Sequence, residues 1–146
     1  MYACTFFGHR DAGKEAEPIL RSTLIDLIEN RQTTLFYVGN QGGFDSMVEN
    51  ALQALIKQNY EIRRYTVLAY LPQGRRAGDA GADTLYPEGL ESVPKQYAIS
   101  WRNQWMIGHA DVVITYVKRP YGGAAQFKEI ALRSGKEVIE LADRME

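Results

Sequence analysis

The chain has 146 residues, of which 45% are hydrophobic and 24% are charged, and its net charge is −1. This length and composition predict one globular domain with its own core, and the near-neutral charge argues against a general attraction to nucleic acid or to a membrane surface. No apolar run approaches the roughly 18 residues of a membrane span, residues 1–7 do not resemble a signal peptide, and the single cysteine, Cys4, excludes an intramolecular disulfide. We therefore expect a cytoplasmic protein with no membrane partner.

Five short runs of β-branched and aromatic residues alternate with four helical patterns along the chain. The predicted strands cover residues 3–7, 34–38, 62–71, 112–117 and 138–141. The predicted helices cover residues 17–30, 44–56 and 94–109 and a segment that begins at residue 124. Such alternation is typical of an α/β domain with a parallel sheet between two layers of helices. We predict a single, doubly wound, Rossmann-like sheet of about five strands in the order 3-2-1-4-5.

The segment between the third strand and the third helix, residues 72–92, is rich in glycine and shows no apolar period. A loop of this length inside a compact domain is usually functional or mobile. We predict a mobile loop in which Arg75 and Arg76 either stay in solvent or close over an anionic ligand.

Three glycine-containing turns follow the first, second and fourth predicted strands. Ligands of a doubly wound sheet bind outside the carboxyl ends of the strands, where the strand order reverses, so the three turns are expected to share one crevice. Glycine turns that lead into helices leave backbone N–H groups unpaired, which is typical of phosphate sites. The predicted ligand-binding residues are Gly8, His9, Arg10, Gly39, Asn40, Gln41, Gly42, Gly43, Pro120, Gly122, Gly123, Ala124 and Gln126.

Several of these side chains have two interpretations. The guanidinium of Arg10 suits a phosphate, whereas His9 either orients a ribose hydroxyl or caps its own turn. Asn40 and Gln41 either contact a sugar or base or only serve the turn. No group of His, Cys, Asp and Glu has the spacing of a metal site. The first strand lacks a tight Gly-x-Gly-x-x-Gly after it, which disfavours a dinucleotide cofactor, and we expect neither a metal nor a cofactor.

Trp101 and Trp105 stand four residues apart on the third predicted helix and form one stripe. Such a stripe serves helix packing, a subunit interface or the stacking of bases. We favour packing or an interface, which makes a second copy of the chain a candidate partner at this helix.

A recurrent spacing runs from the third predicted helix into the fourth. Its members are Arg102, Met106, Ala110, Asp111, Ile114, Pro120, Gly122, Gly123 and Glu129. This spacing resembles the SLOG superfamily, which includes the Rossmann-like domains of the DprA/Smf DNA-processing proteins and the lonely-guy phosphoribohydrolases. Asn103 stands where the hydrolases have lysine, and Ala125 and Gln126 replace a Gly-Thr pair. The first strand, which ends in Gly8-His9-Arg10, is similar to a short, stand-alone branch of that superfamily.

The resemblance implies a small-molecule ligand of nucleotide type: a nucleoside monophosphate, an oligonucleotide or an ADP-ribose derivative. It also implies that Arg102 holds the phosphate and that Glu129 acts on the sugar, although Glu129 can equally complement the helix dipole. We favour a cytosolic sensing or binding module, because the hydrolase pattern is altered. The alternatives are a nucleotide N-glycosidase that uses Arg102 and Glu129, and single-stranded DNA binding, which the net charge of −1 disfavours.

Overall fold

A computed structural model describes residues 2–71 and 83–145 of the chain. Within these ranges six strands form one sheet, and every neighbouring pair is parallel. The strands are Tyr2–Gly8 (β1), Thr33–Val38 (β2), Arg63–Val67 (β3), Thr84–Leu85 (β4), Val112–Tyr116 (β5) and Glu137–Glu140 (β6). The α-helices are Glu17–Arg31 (α1), Gly43–Lys57 (α2), Ala98–His109 (α3) and Gly123–Arg133 (α4).

The strand β1 lies inside the sheet and sends alternate side chains to opposite faces. Cys4 and Phe6 belong to the core on one face, and Ala3 and Phe7 belong to the core on the other. Helices α1 and α2 cover the first face with Leu20, Leu24, Leu27, Val48, Leu52 and Leu55. Helices α3 and α4 cover the second face with Met106, Ile107, Phe127 and Ala131. Both faces of the sheet are therefore shielded from water by helices, which explains why β5 is buried at all five positions.

Cys4 is fully buried in the first of these cores. Burial raises the pKa of its thiol far above the usual range, with a smaller opposing effect from the backbone of Ile114. The thiol stays protonated, and Cys4 packs as a small hydrophobic residue.

The observed strand order is β4-β3-β2-β1-β5-β6. The α/β class and the predicted order of the main strands are confirmed, but the predicted number of strands is wrong by one. The additional strand, β4, lies at the edge and pairs with β3 through Thr66 and Val67. It has two residues, which is too short to show the alternation by which strands are recognised.

The strand β4 and a 3-10 turn at Leu90–Ser92 lie within the segment predicted as one long loop. Residues 72–82 of that segment, including Arg75 and Arg76, lie outside the described ranges. The predicted mobile loop that could close over a ligand falls on these residues. The predicted third helix begins later than expected, because a 3-10 turn at Lys95–Tyr97 precedes α3.

The strand order reverses at β1, which pairs with β2 on one side and with β5 on the other. The carboxyl ends of β2, β1 and β5 are therefore neighbours, and the turns that follow them lie at the same edge of the sheet. Across the described ranges, no helix is long and apolar enough to cross a membrane.

Candidate functional site

A cavity of about 290 Å³ opens at the carboxyl ends of β1, β2 and β5. Its wall includes residues from all three predicted turns together with side chains from α2, α3 and α4. The predicted residues that line it are Gly8, His9, Arg10, Gly39, Gln41, Arg102, Gly122, Gly123 and Ala124. The expected convergence of the three turns on one crevice is thus present in the fold.

The turn after β1 is fixed by contacts with other segments of the chain. A side chain at Gly8 would meet the Phe44 ring 2.2 Å away, which explains the glycine. His9 is buried, and its Nε2 accepts a hydrogen bond of 2.9 Å from the backbone N–H of Lys118. Burial, reinforced by the nearby charge of Arg119, lowers the pKa of His9. A neutral His9 therefore ties the β1 turn to the β5 turn, a structural contact between two turns that is neither of the two roles predicted for it.

The turn after β2 differs from the prediction at both of its paired glycines. The N–H of Gly43 donates a hydrogen bond of 2.7 Å to the carbonyl oxygen of Arg10. Gly42 has a φ of +109°, and a side chain there would lie 2.8 Å from the Cα of Arg10. Neither glycine lines the cavity. The expectation that Gly42 and Gly43 present free N–H groups to an anion is wrong for Gly43, because the backbone after β1 occupies that place.

Arg102 extends from α3 to the floor of the cavity and is only 1% exposed. Its Nη1 donates to the carbonyl oxygen of Val67 at 2.6 Å and to Oδ1 of Asn40 at 3.3 Å, and its Nε donates to Oδ1 of Asn103 at 2.8 Å. Asn40 thus serves this guanidinium and does not itself line the cavity. Burial lowers the pKa of Arg102, and the nearby carboxylate of Asp45 opposes that effect.

Asp45 and Asn103 also line the cavity, although neither was among the predicted ligand-binding residues. Asp45 lies in the first turn of α2, lines the cavity, and accepts a hydrogen bond of 2.8 Å from the N–H of Gln41. Burial raises the pKa of Asp45, while the Gln41 N–H and the charges of Arg102 and Arg10 oppose the rise. In the sequence, Asp45 could have been predicted to line the cavity because it is an acidic residue that comes just after a glycine turn. For Asn103, the signal was its place where the SLOG hydrolases, which the sequence resembles, have lysine.

The turn after β5 is the open one. Gly122, with a φ of +95°, precedes α4, and a side chain built on Gly122 or Gly123 would meet nothing within 4 Å. No side chain caps the start of α4. The first N–H groups of any helix lack partners within that helix, and here they lie at the cavity wall formed by Gly122, Gly123 and Ala124.

Two arginines stand at the cavity mouth. The exposed Arg10 donates a hydrogen bond from Nη2 to Oε1 of Gln41 at 3.1 Å. Arg119 lines the cavity and donates from both terminal nitrogens to the carboxylate of Asp11, at 3.2 and 3.0 Å. The hydrogen bond from Arg119 lowers the pKa of Asp11. The mouth therefore presents guanidinium groups, one of which is already paired within the chain.

Glu129 lies outside the cavity, and the structure does not bring it together with Arg102. Its carboxylate pairs with Arg133 at 3.0 Å, and its side chain is 55% exposed. With Pro120 and Gln126 it lines a more open groove of about 820 Å³ on the other side of α4. The physical reason is helical periodicity, because Phe127 and Ala131 face the core and residues 126 and 129 therefore face away.

The tryptophan stripe of α3 packs within the chain. Trp105 stacks on the ring of His109 with 3.8 Å between ring centroids, and it meets Tyr37 edge-on at 5.3 Å. Trp101 packs against the small cluster that contains Leu90 and Ala98. Both rings are partly buried and neither lines the cavity, so helix packing is one use of the stripe.

No protein-family model matches the chain, and no curated protein sequence does. Among solved structures it is similar to DNA processing protein A (DprA) from Streptococcus pneumoniae, with a TM-score of 0.66 and 16% sequence identity. The match covers 94% of this chain and 49% of that protein, so the chain spans about half the length of the protein it resembles. At this identity the likeness shows the fold alone. The chain has a DprA-like Rossmann fold, and its assignment to a particular SLOG branch stays a prediction.

Proposed function

We propose that the cavity binds a small phosphorylated ligand of nucleotide type, with its phosphate at the start of α4. The observation that carries this proposal is one cavity lined by both the uncapped helix start at Gly123 and the buried guanidinium of Arg102. Backbone N–H groups at a helix start and the guanidinium fork of an arginine are both well suited to bind phosphate.

The charge of the wall supports an anionic ligand. Among the described residues that line the cavity, Arg10, Arg102 and Arg119 are cationic and Asp45 is acidic. The hydrogen bonds that hold Arg102 engage Nε and Nη1, and no described residue accepts one from Nη2. An anionic ligand would bind to these donors more strongly than a neutral one, because a buried charged donor forms stronger hydrogen bonds than one in solvent.

The size of the cavity supports a ligand of about one nucleotide. Small-molecule pockets typically measure roughly 300–1,000 Å³, and this cavity, at about 290 Å³, lies just below that range. The rings of Phe7 and Phe127 stack at 5.5 Å between centroids and form an apolar part of the wall. Single-stranded DNA binding, the alternative that the fold likeness carries, needs a longer positive surface than this cavity provides.

A binding role is favoured over hydrolysis by the position of Glu129. An N-glycosidase of the kind considered above needs its carboxylate at the sugar, whereas Glu129 pairs with Arg133 beside the outer groove. We expect no release of free base from nucleoside monophosphates, measured chromatographically. Sustained release that disappears in Glu129→Gln would restore the hydrolase alternative and contradict this proposal.

Isothermal titration of the chain with the four common ribonucleoside 5′-monophosphates, inorganic phosphate and a single-stranded oligonucleotide tests the proposal. At least one monophosphate should bind, and more tightly than inorganic phosphate. Arg10→Ala should weaken that binding by about tenfold, because a charge-assisted hydrogen bond is lost at an exposed side chain that the fold does not need. Arg63→Ala is the matched control, since Arg63 is an exposed arginine at the amino end of β3. Binding of the oligonucleotide without any monophosphate would overturn the proposal.

A further inference from the structure

His9 has one hydrogen-bonding atom that the contacts within the chain do not use. The residue is only 6% exposed and lines the cavity. Its Nε2 accepts a hydrogen bond of 2.9 Å from the backbone N–H of Lys118. A ring nitrogen that accepts a hydrogen bond carries no proton, so the proton of the neutral ring is on Nδ1. The turn after β5 thus fixes the tautomer of His9 and leaves Nδ1–H as a donor.

Among the described residues, none accepts a hydrogen bond from Nδ1 of His9. The two carboxylates whose charges act on this ring are Asp11 and Glu140, and both are already engaged. Asp11 pairs with Arg119, and Glu140 accepts four hydrogen bonds from other residues. Nδ1 is not one of the described side-chain atoms that are sealed from solvent without a partner. It therefore reaches solvent, and the cavity is the opening that His9 lines.

The strand pairing places this donor beside the turn that leads to α4. Gly8 pairs with Tyr116 at the end of β5, and His9 follows Gly8. Neighbouring strands lie about 4.8 Å apart, so His9 is adjacent to the segment that ends at the uncapped helix start. Arg119 of this segment lines the same cavity, and its charge acts on His9. A ligand atom that accepts from Nδ1 thus lies near a cation, which favours an anionic oxygen over a neutral acceptor.

We propose that His9 is a ligand-binding residue with two simultaneous roles, in which Nε2 holds the turn after β5 and Nδ1–H donates a hydrogen bond to a phosphate oxygen of the ligand. This inference rests on the proposed function and adds a neutral donor to its phosphate site. It also gives the site selectivity. Because Nδ1–H in this tautomer cannot accept, a ligand group that only donates, such as an ammonium, is rejected at this position.

Two substitutions separate the two roles of His9, because each preserves one nitrogen position of the ring. In His9→Gln the amide reaches the place of Nε2, so the N–H of Lys118 keeps an acceptor and the donor at Nδ1 is lost. In His9→Asn the amide stands at the place of Nδ1, so the donor is kept and the acceptor for Lys118 is lost.

Isothermal titration with the four ribonucleoside 5′-monophosphates measures the effect of each substitution on binding. His9→Gln should bind about tenfold more weakly than the wild type, as expected when a hydrogen bond to a charged group is lost, and more weakly than His9→Asn. Thermal unfolding without ligand should give the opposite order. His9→Asn should unfold about 3 °C or more below the wild type, because a backbone N–H loses its acceptor, and His9→Gln should stay close to the wild type.

Nuclear magnetic resonance of the wild-type protein tests the inference without a substitution. The chain has two histidines, so a long-range ¹H–¹⁵N correlation spectrum distinguishes their rings. At neutral pH, His9 should show a protonated Nδ1 and an unprotonated Nε2. Saturation with the tightest-binding monophosphate should shift the Nδ1 signal of His9. His109 is exposed on α3 and lies outside the cavity lining, and its ring signals should stay unchanged.

The outcomes separate this inference from the proposed function. Equal affinity of His9→Gln and the wild type, or weaker binding by His9→Asn than by His9→Gln, would overturn the inference and leave the phosphate site in place. An Nε2–H tautomer of His9, or an Nδ1 signal that does not respond to a bound monophosphate, would overturn it as well. The spectra decide if His9→Gln does not fold. Failure of every monophosphate to bind the wild type would overturn the proposed function and this inference with it.

Discussion

The carbonyl oxygen of Arg10 accepts a hydrogen bond of 2.7 Å from the N–H of Gly43. This contact brings the backbone after β1 against the start of α2, and a side chain on Gly43 would lie only 2.6 Å from the same oxygen. We expect Gly43→Ala to lower the free energy of unfolding by about 1–3 kcal/mol, since the clash is with backbone that cannot move freely. Urea denaturation measures the change. Gly108→Ala is the control, because Gly108 lies in α3 with open space around it and alanine there should stabilise the helix by up to about 1 kcal/mol. Equal stability of Gly43→Ala and the wild type would contradict the structural role given to this glycine.

In contrast to Gly43, we expect a substitution at Gly123 to weaken ligand binding and to leave the stability of the fold unchanged. Its surroundings leave room for a side chain, and valine is tolerated in a helix at least as well as glycine. Gly123→Val should therefore keep the stability of the ligand-free protein and weaken monophosphate binding by at least about tenfold, because the added methyl groups displace the phosphate from the helix N–H groups. Thermal unfolding with and without ligand separates the two effects. Loss of stability in parallel with binding would show that Gly123 is only a turn residue.

If the cavity binds a phosphorylated ligand as proposed, Asp11 should compete with that ligand for Arg119. The two side chains form a bidentate pair at the cavity mouth, and both are substantially exposed. Asp11→Asn should release Arg119 and strengthen monophosphate binding by about two- to fivefold at low salt, an effect of the size expected for exposed charges. The gain should shrink as salt is added, because the interaction is screened. Asp26→Asn makes the same charge change on an exposed position of α1, and it should leave the affinity unchanged. Weaker binding by Asp11→Asn would mean that Asp11 itself contacts the ligand.

Glu140 anchors the start of the turn that leads from β5 to α4. Its buried carboxylate accepts hydrogen bonds from Thr115, the backbone N–H groups of Val117 and Ala142, and Lys128. Burial alone would raise the pKa of Glu140, but these donors outweigh burial and leave the pKa below its usual value of 4.5. The charged form therefore stabilises the fold at neutral pH, and this stabilisation is lost as the pH falls below 4.5 through the depressed pKa of the folded state.

We expect Glu140→Gln to lower the free energy of unfolding by about 1–3 kcal/mol at neutral pH. The difference from the wild type should be constant down to about pH 5 and should shrink in more acidic buffer. Chemical denaturation over that pH range measures it, with Glu88→Gln as a control at an exposed position. A difference that stays constant into acid would show that the charge of Glu140 contributes nothing.

The sequence by itself determined the class of fold and the edge of the sheet where a ligand would bind. Alternating strand and helix patterns allow few topologies, because connections between parallel strands are short and right-handed. Once β1, β2 and β5 are adjacent, the turns after them must meet. Cys4 was also predictable as a buried hydrophobic residue from its place in the first strand.

Only the tertiary structure decided which turn is open and which acidic residue reaches the cavity. The sequence shows two paired glycine turns of similar appearance, yet the Arg10 backbone fills the space at Gly42 and Gly43, while Gly122 and Gly123 face open space. Likewise Glu129 was predicted as a site residue from the resemblance to the SLOG pattern, but the rotation of α4 that buries Phe127 turns it outward, and Asp45 lies in the cavity instead. These outcomes depend on contacts between segments distant along the chain, and local sequence patterns carry no record of such contacts.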